Sequence, residues 1–213
     1  RESPGLVVRE VERTADYPLF VKPVNLGSSV GISKVHDRDQ LIQGLNGAGV
    51  YDVKILIEAA VEGAREIECG VLGEESPKVS GVGEILPGAE FYDYRAKYID
   101  DCAKFVIPAD LPDGVIQEVQ EMSIRAFRAI DCNGLARVDF LIGRDGKVLL
   151  NEINTMPGFT PISMYPKLWK AAGLNYAELI DELIQLALAR NKNRRDLKTT
   201  IDPADSTGCT ADG

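Results

Sequence analysis

Residues 135–154 read LARVDFLIGRDGKVLLNEIN, and this stretch decides the architecture. Two apolar runs, 135–142 and 148–154, flank Asp145-Gly146, a pair that favours the positive-φ backbone of a tight hairpin turn. A two-residue turn sets Arg144 against Lys147, which places Asp139 across from Glu152 and Arg137 across from Asn154. Side chains alternate along a strand, so all four project from one face. Carboxylates directly opposed on neighbouring strands repel. A hard cation is the simplest compensation, because Mg²⁺ takes a few carboxylate or amide oxygens and completes its octahedron with water and phosphate oxygens. Arg137 beside them can fork onto phosphate oxygens. The competing reading is a solvated polar face on which Arg137 simply pairs with Asp139. A turn one residue longer would also shift the opposition.

Upstream, residues 20–35 read FVKPVNLGSSVGISKV. Gly27 and Gly31 bracket Ser28 and Ser29 between two short strands, and small residues let backbone N–H groups and hydroxyls approach an anion. Lys22, at the end of a strand, can hold a phosphate as a point charge. The pattern is neither a G-x-x-x-x-G-K-[ST] loop nor a G-x-G-x-x-G turn. In residues 54–68, KILIEAAVEGAREIE, Glu58 ends an apolar strand, and Glu66 and Glu68 enter the next. A carboxylate at such a strand end suits a ribose diol or a base amino group; ordinary surface charge is the plainer reading.

The remaining chain alternates strands and helices. Strands are expected at 19–22, 32–35, 53–58, 67–72 and 78–86. Asp37-x-x-Gln40 resembles a capping box for a helix carrying Leu41, Ile42 and Leu45. From Pro112 a helical stripe runs through Val115, Val119, Met122, Ala126 and Ile130. A last helix over 176–190 has Leu179, Ile180, Leu183, Ile184 and Ala187 as its buried side. The fold class is therefore α+β with mainly antiparallel sheets. Residues 1–16 read as a linker or edge strand, and 191–213 as a disordered polar tail. Residues 87–104 hold Phe91, Tyr92, Tyr94 and Tyr98 among charges without a sustained period, as in a functional loop.

A net charge of −9 with no dense basic cluster argues against a nucleic-acid surface. No stretch reads as a signal peptide, and no apolar run approaches the roughly 20 residues of a membrane span. Cys69, Cys102, Cys132 and Cys209 are scattered without metal-ligand spacing and read as reduced thiols of a cytosolic protein. A single histidine, His36, argues against a zinc or Ser-His-Asp site.

Taken in order, FVKP-x-x-x-GSS-x-G, LIE, FYDYRAKY, GLARVDF and NEINTMPGFT resemble the motifs of D-alanine–D-alanine ligases across residues 17–190. The resemblance implies an ATP-grasp fold, in which two α+β lobes clamp ATP. These would be a central lobe at 17–86 and a C-terminal lobe at 87–190 with 87–104 as lid, the N-terminal substrate domain being absent from this chain. It implies ATP-dependent joining of two D-alanines through an acyl phosphate, for peptidoglycan precursor synthesis in the cytoplasm. An ATP-binding module without ligase activity, and a ligase using D-lactate or D-serine as acceptor, are the alternatives.

The same resemblance assigns residues. Lys22 and Lys97 would contact the ATP phosphates, with Ser29 and Phe91 also in the cofactor set. Glu58, Ala59 and Val61 would line the adenine pocket. Glu66 would meet the ribose, with Glu68 as the alternative because one extra residue follows LIE. Asp139 and Glu152 would hold one Mg²⁺, and Glu152 and Asn154 a second, with Mn²⁺ as a substitute. Arg137 would stabilise the transferred phosphoryl group. Ser28, Tyr98 and Ser163 would position D-alanine and close the site, with Gly158 and Met164 at the substrate subsites. The FYDYRAKY lid favours dipeptide formation. The full-length enzyme would be a homodimer with no nucleic-acid or membrane partner.

Overall fold

Leu19, Val21 and Pro23 point to one side of β1 (Leu19–Pro23) while Phe20 and Lys22 stay half-exposed on the other, and this alternation seeds the first lobe. The computed structural model describes residues 4–86, 104–195 and 197–198. In it β1 lies between β2 (Ser33–Val35) and β3 (Ile55–Ala59) in a three-stranded antiparallel sheet. Helices α1 (Pro4–Thr14) and α2 (Arg38–Tyr51) close a core of Val8, Leu19, Val21, Val35, Leu41 and Ala48. Asp37 caps α2 by accepting the Gln40 N–H at 2.8 Å, and Gln40 Oε1 reaches back to the His36 N–H at 3.0 Å. The capping box therefore closes one residue earlier than its reciprocal form.

Helix α1 corrects the expectation of a linker or edge strand at 1–16. Val8 and Val11, three apart, face the core of this lobe. So short an apolar pattern becomes helical because it has a surface to pack against.

The second lobe is a five-stranded antiparallel sheet in the order β6-β5-β4-β7-β8. Its strands are β4 (Arg65–Gly73), β5 (Lys78–Leu86), β6 (Lys104–Val106), β7 (Gly134–Ile142) and β8 (Val148–Asn154). The division between lobes thus falls at 60–64 rather than after 86, a second correction. β4 is buried without a break from Ile67 to Gly73, and only a central strand covered on both faces hides such a run. On one face α3 (Asp113–Ala129) packs over Ile67, Cys69, Val71, Val138 and Phe140. On the other, α4 (Met164–Ala171) seats Met164 and Leu168 against Ile85. Gly83 allows this approach, since a Cβ there would lie 2.9 Å from the Leu168 side chain. Helix α5 (Tyr176–Arg195) joins through Leu179, Leu183 and Leu186.

Two helix faces differ in part from expectation. On α3, Val115, Val119, Met122 and Ala126 pack on the core as expected, joined by Ser123 and Phe127, while Ile130 lies beyond the helix end, 48% exposed. On α5, Ile180, Ile184 and Ala187 are exposed, and the helix continues to Arg195, into the segment expected to be a tail. Residues 199–213 lie outside the described residues. Cys69 and Cys132 are free, and burial pushes the Cys69 thiol up to about 11, which makes it an inert core residue. Cys102 and Cys209 lie outside the described residues. No helix among the described residues is long and apolar enough to cross a membrane.

The β7–β8 turn carries one residue more than a two-residue turn allows. The Gly143 N–H donates to the Lys147 carbonyl at 3.3 Å, the Gly146 N–H donates to the Gly143 carbonyl at 3.0 Å, and Gly146 has φ 76°. This is a three-residue loop with glycine in the left-handed position. Alone, it would set Asn151 across from Asp139. A bulge on β8 takes up Asn151 between the pairs Phe140↔Leu150 and Asp139↔Glu152, and so restores the expected Asp139↔Glu152 and Arg137↔Asn154 oppositions. The two departures cancel. Gly146→Ala is expected to cost about 1 kcal/mol in urea unfolding at unchanged m value, from backbone strain alone. No atom lies within 4 Å of the added Cβ, so a much larger loss would mean that the loop is built differently.

Candidate nucleotide and metal site

The site face of the second sheet carries a ladder of carboxylates. Asp139 on β7 faces Glu152 on β8 and, across its other edge, Glu68 on β4. Glu68 is the member that sequence reading missed, because its pairing with Asp139 joins strands far apart in the chain. Its signal was present in the alternation of Glu66 and Glu68 at the start of β4. Glu68 is 5% exposed. Arg137 lies on the same face of β7 and forks onto Asp139, with Nε to Oδ1 and Nη2 to Oδ2 both at 2.7 Å. Its Nε is also 3.1 Å from Glu68 Oε2. Asn154 Nδ2 donates to Asp139 Oδ2 at 3.1 Å and to Glu152 Oε1 at 3.0 Å. The Arg137 guanidinium thus faces the three carboxylates Asp139, Glu68 and Glu152. Burial opposes the charge on Arg137, but the bonds to Asp139 and the fields of Glu68 and Glu152 outweigh it and hold the group protonated.

Arg137 pairs with Asp139, as the plainer reading of the hairpin expects, with Arg137, Asp139 and Asn154 half-buried and Glu152 exposed. Among the described residues no three His, Cys, Asp or Glu side chains form a metal-holding group. The donor set is two carboxylates and an amide, which suits Mg²⁺ or Mn²⁺ when phosphate oxygens complete the coordination. Oxygens of Asp139 and Glu152 converge on the Asn154 amide nitrogen.

The first lobe brings a cation to this edge. Lys22 pairs with the Glu58 carboxylate, and its Nζ donates to Asn151 Oδ1, the bulge residue, at 3.4 Å. Glu58 sits on β3 directly across from Phe20. In the glycine-serine loop, Ser28 and Ser29 adopt φ 55° and 59°, a conformation unusual for residues with a Cβ. The loop is pinned to the end of α2, where Asn25 donates its N–H and Nδ2 to Asp52 Oδ2 at 2.6 and 2.9 Å. The Asn25 and Lys54 N–H bonds hold the Asp52 carboxyl below its ordinary value. Gly31 is required by space as well as by φ 73°, since a Cβ would lie 2.7 Å from the Tyr51 ring.

The other expected residues scatter around this centre. Ala59 is exposed at the end of β3, and Val61 is half-buried on the segment joining the lobes, against Gly143. Glu66 lies on the same strand face as Glu68, one step nearer that segment and across from Leu141. Ser163 starts α4, its Oγ 2.8 Å from Thr160 Oγ1 and accepting the Thr160 N–H at 3.2 Å. A Cβ on exposed Gly158 would lie 3.1 Å from that same Oγ. Met164 is 4% exposed and packs α4 onto the sheet. Phe91, Lys97 and Tyr98, with the rest of the expected lid up to residue 103, lie outside the described residues.

Comparison with known proteins bears on the family and the fold. The family model described as D-ala D-ala ligase C-terminus matches residues 2–185. A D-alanine–D-alanine ligase from Acetivibrio thermocellus is 54% identical over 192 residues, covering 89% of this chain and 51% of the relative. Among solved structures, the D-alanine-D-alanine ligase from Coxiella burnetii superposes with TM-score 0.78 at 39% identity, over 92% of this chain and 51% of that one. The VanG D-Ala:D-Ser ligase from Enterococcus faecalis gives TM-score 0.77 at 36% identity, over 85% of this chain and 53% of that one. The chain spans about half the length of the curated relatives it matches. Its two α+β lobes are those of the ATP-grasp fold, and with the family model covering most of its residues the chain belongs to the D-alanine–D-alanine ligase family.

Proposed function

We propose that this chain is the nucleotide- and metal-binding part of a cytoplasmic, ATP-dependent ligase that joins two D-alanines for peptidoglycan precursor synthesis. The observation that carries this reading is the ladder of Asp139, Glu152 and Asn154 with Arg137 beside it and Lys22 reaching toward it from the other lobe. Asp139, Glu152 and the Asn154 amide, turned to present its oxygen, would hold Mg²⁺ or Mn²⁺. A bound divalent ion there neutralises charge on the β- and γ-phosphates.

The chain's own residues bind and orient. Lys22 leaves Glu58 for a phosphate oxygen, and the Ser28–Ser29 loop donates to the phosphates and to D-alanine. Glu58, Ala59 and Val61 line the base, and Glu66 takes the ribose, since Glu68 is committed to Arg137. The carboxylate of the first D-alanine attacks the γ-phosphorus, ADP departs, and an acyl phosphate forms. The amine of the second D-alanine then attacks the acyl carbon, loses a proton and expels phosphate. Arg137 stabilises the charge that develops in both steps. Ser163 and Gly158 border the substrate, Met164 buttresses them from beneath, and Phe91, Lys97 and Tyr98 belong to a lid that excludes water from the acyl phosphate. The full-length enzyme pairs as a homodimer.

The test joins this chain to the N-terminal half of a full-length relative and measures phosphate release from ATP. Release that requires D-alanine and yields the dipeptide is expected. ATP binding with no D-alanine-dependent release would favour a nucleotide-binding module instead. The likeness to a D-Ala:D-Ser ligase supports one second reading, D-serine as acceptor. Competition between D-alanine and D-serine in the same assay decides it, with the D-alanine product expected to dominate.

A further inference from the structure

Arg137 is charged, four-fifths buried, and held on two sides by carboxylates, one of which the metal would also claim. Its fork covers both oxygens of Asp139 at 2.7 Å. A divalent ion on Asp139 and Glu152 would take at least one of those oxygens and repel the guanidinium. Metal binding and the Arg137–Asp139 pair are therefore in competition. A buried guanidinium that loses its only counter-ion is strongly destabilised, by several kcal/mol. Glu68 answers this. It pairs with Asp139 across the β4–β7 ladder, away from β8, and its Oε2 lies 3.1 Å from Arg137 Nε.

We propose that Glu68 is a positioning residue that retains Arg137 through Nε when the divalent metal takes Asp139, leaving the outer guanidinium nitrogens free to turn toward phosphate oxygens. The inference rests on the metal reading given above for Asp139 and Glu152. It makes the pairing Arg137–Asp139 the metal-free state and Arg137–Glu68 the loaded state. Without Glu68, Asp139 is the guanidinium's main remaining anion, and Arg137 contests it with the metal.

The experiment measures Mn²⁺ binding to the 213-residue chain by the loss of free-ion paramagnetic resonance signal, alone and with the non-hydrolysable ATP analogue adenylyl imidodiphosphate. Glu68→Gln is expected to weaken Mn²⁺ binding on the order of tenfold or more, and Glu68→Asp to recover most of it. Arg137→Gln, which removes the competitor, is expected to tighten binding of Mn²⁺ alone by several-fold. In the Arg137→Gln background the further change Glu68→Gln should cost only about threefold, the residual field of one lost carboxylate. An equal or larger loss in that background would show that Glu68 acts on the metal directly and overturns the proposal. So would weaker Mn²⁺ binding by Arg137→Gln alone, a measurement that stands even where Glu68→Gln does not fold. A parent chain that binds no Mn²⁺ in either condition overturns the metal reading itself, an outcome distinct from failure of the Glu68–Arg137 coupling.

Discussion

Asp139→Asn is expected to lower the affinity for ATP in the presence of Mg²⁺ by on the order of a hundredfold, because loss of even a residue that merely supports a metal ligand costs roughly 10- to 100-fold. Asp139 is the pivot of the whole cluster: it faces Glu68 on one side and Glu152 on the other, accepts both bonds of the Arg137 fork, and accepts from Asn154. The neutral amide keeps the shape and removes the charge. Two effects on the ligand-free protein oppose each other. Arg137 loses a counter-ion, while the repulsion among three neighbouring carboxylates is relieved and Glu68 remains at 3.1 Å. The net expectation is a loss of about 1–2 kcal/mol, well below the roughly 3–5 kcal/mol of a buried pair broken with no substitute. The larger change is in the loaded protein, where stabilisation by ligand grows with the logarithm of its concentration over Kd. Calorimetric titration with the non-hydrolysable analogue at several Mg²⁺ concentrations, with melting curves in parallel, separates the two. If affinity and its Mg²⁺ dependence both survive the substitution, the metal assignment is wrong.

Phe127→Ala should cost about 3–5 kcal/mol, a large share of the roughly 5–15 kcal/mol that holds a typical domain together. Phe127 is fully buried on α3 in the cluster that also contains Val138 and Phe140. Those two residues alternate with Arg137 and Asp139 along β7, so the packing under one face sets the height and direction of the chemistry on the other. The matched control is Ile184→Ala on α5, half-exposed, where a change within about 0.5 kcal/mol is expected. Urea unfolding of both variants reads the difference as a shift of midpoint at unchanged m value. Equal costs at the two positions would show that α3 does not support the sheet as described.

The apolar positions of β7 were legible because that strand alternates by itself, and the cap of α2 because Asp37 and Gln40 are close in sequence. The opposition of Asp139 to Glu152 and of Arg137 to Asn154 was legible because a hairpin is a local structure whose partners lie within one turn of each other. Even there the reading succeeded through two departures that cancel, the third loop residue at the turn and the bulge at Asn151. Composition alone does not reveal either, since a bulge is a compromise between the twist of two strands and what packs on them.

What the sequence determined by itself, then, was the local grammar: which segments alternate, where the glycine turn sits, and that carboxylates and an arginine share one strand face. The tertiary structure decided which strands became neighbours. It moved β4 and β5 into the second sheet, turned residues 4–14 into a helix by offering them a surface, and set Glu68 beside Arg137 as the third carboxylate. The physical reason is range. Periodicity is a property of adjacent residues, whereas the pairing of Glu68 with Asp139 exists only once two distant segments have buried their apolar faces against a common core.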